Sequence, residues 1–157
     1  MYKICPIIMC VCMCAAATSS HLEVSAKTIQ SDLKKGQTIL SGEVMIIKGE
    51  DKLWADEVVI QTDKKNQPLT YTAIGNVRFY TKMPDKKIKG RAKRAVYDVQ
   101  KDEYQLFNNA MIEEVGKSNA IRGNIITLNP TTQEASVKGS NQKPSVLTFI
   151  MEDDKKE

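Results

Sequence analysis

Residues 41–46 (SGEVMI), 74–79 (IGNVRF) and 108–112 (NNAMI) are the stretches that decide the fold. Gly42, Gly75 and Asn108 are evenly spaced along the chain, with a period of about 33 residues. A second apolar stretch follows each of them, at 53–60, 88–98 and 121–128, and residues 22–26 and those from 137 onward read as partial copies. A fixed period of this length indicates a chain built from similar structural units.

Apolar and polar residues alternate inside each unit. Val77, Phe79 and Thr81 fall on one side of an extended segment, and the residues between them, such as Arg78 and Tyr80, fall on the other. A period of two is typical of half-buried strands. Turn-forming groups separate the segments, at 34–36, 48–51, 63–66, 84–85, 101–102, 116–117 and 129–130. The sequence therefore predicts an antiparallel meander of hairpins.

One stretch, residues 26–33, has a second interpretation. Ala26, Ile29 and Leu33 have helical spacing, but no convincing capping residue precedes them. A short helix is therefore the alternative to a strand here. At the other end of the chain, residues 146–151 are predicted to form a final strand.

A meander without helices has only its own strands to cover its apolar face, so the predicted fold is all-β, an open two-layer antiparallel sandwich. Its free edge strands are able to pair with another chain unless charged residues prevent this. The side chains predicted to face the interior are Val44, Ile46, Val58, Ile60, Val77, Phe79, Tyr97, Val99, Leu106 and Ile112. Residues 45–47 and 125–128 fit either face, and Trp54 fits either a lining position or the core. Met45, Met83 and Met111 are assigned to the core or to turns.

Composition limits the architecture to one globular domain. The chain has 157 residues, of which 41% are apolar and 27% charged, and a net charge of +4 that favours anionic partners. The last of the four cysteines is Cys14, and all of them lie in an apolar run that follows Lys3 and ends at three alanines. This layout predicts a secretory signal peptide at residues 1–17, cleaved after Ala17. The run is too short for a retained membrane span, and Val11 and Met13 do not supply the small residue that a lipoprotein site needs before its cysteine.

The mature sequence argues against an enzyme. His21 is the only histidine and lies next to the expected new N-terminus, so a histidine-dependent triad and a multi-histidine metal site are excluded. No glycine-rich phosphate loop, dinucleotide motif or calcium loop is present. The carboxylate pairs at 56–57, 102–103 and 113–114 are adjacent residues, which point to opposite faces of a strand and cannot share one substrate. No cofactor or metal is predicted.

Several short motifs together resemble the LptA (OstA-like) family of periplasmic lipopolysaccharide-transport proteins. They are the two Gly-x-Val openings at 42–44 and 75–77, and the segments ADEVV at 55–59, IKG at 88–90 with AVYD at 95–98, and IRGNI at 121–125. The resemblance covers about 22–139 and implies a twisted β-jellyroll domain at 18–151. The six consecutive charged residues at 152–157 predict a disordered tail. Two departures, Arg91-Ala92 after Gly90 and Asn109 where glycine is usual, are expected to shift the register locally.

The resemblance implies a protein that carries lipopolysaccharide, through its lipid A part, from the inner to the outer membrane in a head-to-tail bridge of β-jellyroll domains. Its partners would be the inner- and outer-membrane components of the pathway and other copies of itself. Val24, Phe79, Tyr97 and Val99 match the lipid-lining positions of the family, and the other inward residues complete the predicted lipid site. The excess of Lys and Arg over Asp at 82–94 is interpreted as a basic rim for the anionic head group, or as an ordinary solvated hairpin.

Three alternatives stay open at this point. One is the membrane-anchored inner-membrane partner of the same pathway, which would keep its N-terminal segment. Another is a structural β-protein whose interior is filled and takes no lipid. Nucleic-acid binding, suggested by the basic run with Tyr80 and Tyr97 nearby, is the least favoured because aromatic residues make up only 6% of the chain.

Overall fold

A computed structural model describes residues 21–148 of the protein, and every regular element in that range is a strand. The strands are β1 (Leu22–Ser25), β2 (Thr28–Asp32), β3 (Gln37–Lys48), β4 (Asp51–Thr62), β5 (Pro68–Lys82), β6 (Lys87–Asp98), β7 (Glu103–Glu114), β8 (Ala120–Asn129), β9 (Glu134–Lys138) and β10 (Val146–Thr148). No membrane-spanning helix is found within 21–148. The predicted signal peptide at 1–17 and charged tail at 152–157 lie outside the described residues, as does the end of the final predicted strand.

All ten strands belong to one antiparallel meander. From β3 to β8 each strand pairs with the next along the chain, while β1 and β2 both pair with β3, and β9 and β10 both pair with β8. The hairpins turn at the predicted groups, which confirms the all-β meander. Residues 28–32 pair with 37–41 as a strand, so the helical alternative for 26–33 is wrong. The final strand is confirmed for residues 146–148.

The long strands share a β-bulge in their middle, and this bulge is the physical basis of the sequence repeat. The ladder shifts register between Ser41 and Val44, between Ile74 and Val77, and between Phe107 and Ala110. Gly42 and Glu43 both have positive φ, as do Gly75 with Asn76 and Asn108 with Asn109. Glycine and asparagine adopt this left-handed conformation most readily, which explains the small residues that open each repeat. The register also shifts between Arg91 and Arg94, at the predicted departure Arg91-Ala92. The other predicted departure, Asn109, lies within the shift between Phe107 and Ala110.

The bulges divide each long strand into two halves, which lie in two layers. Layer A holds β2, β9 and the halves at 37–41, 57–62, 68–74, 94–98, 103–107 and 125–129. Layer B holds β1, β10 and the halves at 44–48, 51–55, 77–82, 87–92, 110–114 and 120–123.

The two layers fold over each other. Phe79 in layer B lies beside Gly90, which pairs with Ile112 on β7. In a flat strand, Tyr104 would be about 26 Å from Ile112, at roughly 3.3 Å per residue. The rings of Phe79 and Tyr104 are instead stacked with centroids 5.3 Å apart. The layers therefore face each other across a common interior, as predicted for a two-layer fold.

Two rows of paired residues line this interior from one end of the sheet to the other. The row in layer A is Ile29, Leu40, Val58, Ala73, Ala95, Leu106, Ile126 and Val137. The row in layer B is Val24, Ile46, Leu53, Phe79, Gly90, Ile112, Ile121 and Leu147. Except at the ends of the sheet, most of these side chains are buried in a single core.

The register resolves the positions for which the pattern fitted either face. Ile46, Ile126 and Leu128 face inward and are buried, so their neighbours Met45 and Ile125 face outward. Trp54 is neither a lining nor a core residue, because it pairs with Met45 and Arg78 on the outer face of layer B. Met111 also lies on that face, whereas Met83 is buried as predicted.

Candidate functional site

A cavity of about 530 Å³ opens between the two layers at the end away from the bulges. One wall comes from layer B, near the β3–β4 hairpin, and includes Ile46, Leu53 and Phe79. The facing wall comes from layer A, near the β4–β5 and β6–β7 hairpins, and includes Leu69 and three tyrosines. Toward the bulges the layers converge on buried side chains of small and medium size, such as Val44 and Val77. The interior is therefore a cleft that is closed at the bulges and open at the hairpin tips.

Aromatic rings form much of the wall of this cleft. Tyr71, Tyr97 and Tyr104 are directly opposed on β5, β6 and β7. The centroid of Tyr97 lies 6.1 Å from that of Tyr71 and 4.4 Å from that of Tyr104. Phe79 stacks on Tyr104 from the opposite layer, and it has room there because its neighbour on β6 is Gly90, where a methyl group would collide with the ring. The stack fixes how far apart the two layers stand.

Two carboxylates lie beside the aromatic wall and accept hydrogen bonds. The Tyr97 hydroxyl donates to Asp102 Oδ1 at 2.9 Å, and the Thr81 hydroxyl donates to Asp51 Oδ1 at 2.9 Å. Burial, reinforced by these two carboxylates, raises the pKa of both Tyr97 and Tyr104 far above the usual value. Burial alone raises the pKa of Tyr71. The three phenols therefore stay neutral, and the wall presents uncharged aromatic surface.

Charges are confined to the mouth of the cleft and carry both signs. Lys48 and Lys52 line the mouth, and so do Asp51 and Asp63. The prediction of a basic rim from residues 82–94 is wrong, because none of these residues lines the cleft. Lys87, Lys89 and Arg91 project from the outer face of layer B instead, since they alternate along β6 with the inward residues Ile88, Gly90 and Ala92.

The comparisons with known proteins identify the family. The family described as LptA/(LptD N-terminal domain) LPS transport protein matches residues 23–134. The chain belongs to this family of lipopolysaccharide-transport proteins. No curated protein sequence matches it significantly.

A solved structure supports the fold of this LptA/LptD-type domain. The chain is similar to LptH of Pseudomonas aeruginosa, described as the LptA-homologous periplasmic component of the lipopolysaccharide transport device. The two superpose with a TM-score of 0.76 at 20% identity, over 84% of this chain and 96% of that one. The predicted β-jellyroll is therefore confirmed.

The structure of this LptA/LptD-type domain places all eleven predicted lipid-site residues on the inner side but brings only four to the cleft. Ile46, Phe79, Tyr97 and Val99 line it. The others are closed off by packing or lie beside it, and several, such as Val58 and Leu106, have no exposed surface. The seven that do not line the cleft are Val24, Val44, Val58, Ile60, Val77, Leu106 and Ile112. Each of these seven residues faces the side of its strand that was predicted, but the alternation along a strand does not reveal where the two layers separate.

Several lining residues were missed by the sequence interpretation. Leu53, Tyr71 and Tyr104 face inward beside residues that were selected, since Leu53 pairs with Ile46, and Tyr71 and Tyr104 both pair with Tyr97. The alternation in β5 and β7 would have found Tyr71 and Tyr104 had it been continued along those strands. In β4 the bulge between Trp54 and Glu57 changes which residues face inward, so the alternation of Val58 and Ile60 does not lead to Leu53. Leu22 and Leu69 carry no comparable signal, because one lies in a short edge strand and the other beside an irregularity in the β4–β5 pairing.

Proposed function

We propose that this protein binds lipopolysaccharide by holding the acyl chains of its lipid A part in the cleft between the layers, and carries it from the inner to the outer membrane. The observation that supports this most strongly is a cleft of about 530 Å³, walled mainly by apolar and aromatic side chains, inside a domain of a lipopolysaccharide-transport family. That volume lies in the range of ordinary ligand sites. Charges at the mouth leave the head group in water, and transport of this kind requires no catalytic group.

The binding proposal is tested by a matched pair of substitutions on β5. Tyr71 lines the cleft, and its neighbour Thr72 points to the outer face of layer A, where it pairs with Val59 and Val96. Tyr71→Glu places a charge in the cleft, which opposes acyl-chain binding because a carboxylate loses its hydration there. We expect the affinity of the purified protein for lipopolysaccharide, measured by displacement of a fluorescent acyl probe, to fall at least about tenfold, whereas Thr72→Glu leaves it unchanged.

The controls for this pair are direct. Both variants are first checked for a β-sheet circular dichroism spectrum and cooperative unfolding. If a folded Tyr71→Glu protein binds lipopolysaccharide as tightly as Thr72→Glu, the cleft is not the lipid site. If the unchanged protein does not bind, the structural interpretation without lipid cargo replaces the proposal.

We further propose that copies of the domain assemble head to tail by strand addition. Ile29 and Leu147 belong to the inner rows, opposite Leu40 and Ile121, yet they are 55% and 56% exposed because no further strand among the described residues covers them. The apolar interior is thus uncovered at both ends of the sheet. A second copy whose first strands follow β9 and β10 would continue both layers and extend the cleft from one domain to the next.

Assembly is tested by adding charge at these ends. Ile29→Lys and Leu147→Lys each place an ammonium group where the next domain would pack, so we expect both to remain monomeric where the unchanged protein forms concentration-dependent oligomers. Ile74→Lys is the matched control, because Ile74 is 41% exposed but lies mid-sheet on the outer face of layer A. Analytical ultracentrifugation measures the size. A protein that stays monomeric at all concentrations, or end variants that assemble like the control, would contradict the proposal.

The periplasmic location rests on the predicted signal peptide and on the periplasmic LptH. N-terminal sequencing of the exported protein separates this proposal from the membrane-anchored partner of the same pathway. A mature chain that begins after Ala17 supports the periplasmic carrier, and an intact N-terminus supports the anchored partner. The nucleic-acid alternative loses its basis, because Tyr97 faces the cleft whereas Tyr80 faces outward with the basic residues.

A further inference from the structure

The outer face of layer B carries a row of cations that form no ion pair within the described part of the chain. Across this face run Met45, Trp54, Arg78, Arg91, Met111 and Arg122, each paired with the next. All three arginines are exposed. Among residues 21–148 the ion pairs are formed by lysines, such as Lys89 with Glu113 at 3.1 Å, and none involves an arginine. The row lies on the opposite side of the layer from the lipid cleft, so lipid binding inside does not account for it.

Two of these arginines are held close together by a shared sulfur atom. Arg91 Nη2 donates to Met111 Sδ at 3.7 Å, and Arg122 Nε donates to the same sulfur at 3.1 Å. Because both nitrogen atoms contact one sulfur, they are no farther apart than the sum of these two distances. Like charges at such a separation repel, and a thioether neutralises neither of them. An anion between the guanidinium groups would remove the repulsion and accept hydrogen bonds from both.

The space for such an anion exists. A pocket of about 300 Å³ lies against the outer face of β7 and β8. Arg91 and Arg122 line it together with Lys143, and no aspartate or glutamate of the described residues does. Ser140, Asn109 and Asn124 add polar side chains to its wall. Three cations around one pocket favour a ligand with more than one negative charge.

The third cation stands on a tightly turned loop between β9 and β10. The Ser140 backbone N–H donates to the Lys143 carbonyl at 2.8 Å, and the Lys143 N–H donates to Ser140 Oγ at 3.1 Å. At Gly139 a Cβ atom would lie 2.7 Å from the Lys143 carbonyl oxygen, so the chain packs too closely there for a side chain. The loop thus sets the place of Lys143 beside the two arginines.

We infer that this pocket is a binding site for a phosphate group, either free phosphate or a phosphate monoester. A phosphate dianion matches the excess of positive charge, and its oxygens suit guanidinium donors on one side and an ammonium group on the other. The inference goes beyond the proposed lipid cleft, since it concerns the opposite face of layer B and needs no acyl chain. The phosphate comes either from solution or from the phosphorylated head group of a lipid A molecule held outside the cleft.

The first test uses inorganic phosphate and the full chain. We expect phosphate to shift the Nε–Hε NMR signals of Arg91 and Arg122 saturably, whereas sodium chloride at equal ionic strength does not. The double variant Arg91→Gln/Arg122→Gln should bind phosphate about tenfold more weakly or worse, since charge-assisted hydrogen bonds are lost. Arg94→Gln is the matched control, because Arg94 lies over the Phe107 ring at 5.0 Å, away from the pocket.

Lys143→Gln should also weaken phosphate binding. Because it alters only an exposed side chain on a loop, its effect on binding does not depend on a change in the β-sheet. The inference is overturned if chloride produces the same shifts, or if Arg94→Gln weakens phosphate binding as much as the double variant does.

A second measurement distinguishes the sources. Purified protein is titrated with detergent-solubilised lipid A that carries its phosphates and with the dephosphorylated form. A preference for the phosphorylated lipid that disappears in Arg91→Gln/Arg122→Gln supports the site and assigns it to the lipid head group. A preference that the double variant retains, together with arginine-dependent binding of inorganic phosphate, supports a site for free phosphate. Neither result depends on the Tyr71→Glu experiment, so failure of the lipid cleft and failure of the phosphate site are distinguishable.

Discussion

Two phenylalanine substitutions test the assignment of faces, because residues 21–148 hold one such ring inside and one outside. Phe79 is 3% exposed and stacks on Tyr104 across the interior. Phe107 lies on the outer face of layer A, half-buried, with the Arg94 guanidinium 5.0 Å from its ring centroid. The same change, Phe→Ala, therefore removes a ring that joins the two layers in one case and a ring at the surface in the other.

The expected costs differ severalfold. Truncating a buried phenylalanine costs about 3–5 kcal/mol, of which ring stacking supplies roughly 0.5–1.5 kcal/mol. We expect the cost of Phe79→Ala to lie near the lower end of this range, about 3 kcal/mol. The ring already borders the cleft, so the space that it leaves joins an existing cavity. For Phe107→Ala we expect about 1 kcal/mol, from partial burial and an exposed cation–π contact.

Urea denaturation of both variants, followed by circular dichroism, measures these free energies of unfolding. In thermal melts the difference corresponds to a midpoint about 6–10 °C lower for Phe79→Ala than for Phe107→Ala in a domain of this size. The m-value should stay constant, so that the shift reports stability rather than a change of the unfolded state. Equal costs, or a larger cost for Phe107→Ala, would refute the face assignment on which the cleft rests.

Two further predictions concern the bulges and the tyrosines. Gly75→Ala should lower the free energy of unfolding in urea by about 2–3 kcal/mol, because φ is +81° and the new Cβ would lie 2.5 Å from Asp56 Oδ2. Gly49→Ala is the control and should cost only about 1 kcal/mol, since its φ is +61° and nothing lies within 4 Å. Equal costs would show that the bulge is not crowded. Burial raises the pKa of Tyr97 and Tyr104, so the folded state keeps protons that the unfolded chain releases near pH 10. The free energy of unfolding should therefore be constant up to about pH 9 and fall as the pH rises through about 10. Tyr104→Phe should make that fall shallower in urea titrations at successive pH values, and an unchanged slope would contradict the cause given.

Local pattern was enough to predict the turns, most of the strands, and the faces of the strands where the alternation is clear. Val77, Phe79 and Thr81 are all buried as their alternation indicates, and every predicted turn group joins two strands. The repeat was visible because Gly42, Gly75 and Asn108 occupy the same bulge position. These features depend on neighbours along the chain or on one adjacent strand, which is the information that a sequence pattern carries.

Features that depend on the distance between layers were not predictable in this way. Val58 and Tyr97 have the same parity, but one is fully buried and the other lines the cleft, since the layers converge near the bulges and are held apart by aromatic rings farther out. Trp54 was expected inside because it is apolar, yet its ladder position between Met45 and Arg78 puts it outside. The bulges in β4 and β6 have no glycine, so no local signal indicates the register that places Arg91 next to Met111.

Photocrosslinking in cells that produce lipopolysaccharide shows whether this lipid occupies the interior of the protein. A photoreactive amino acid at Tyr97, in the cleft wall, is compared with one at Arg78, on the outer face of layer B. We expect lipopolysaccharide adducts from position 97 and none from position 78. Folded, exported protein that gives no adduct at 97, or equal adducts at both positions, would contradict a lipid site in the cleft.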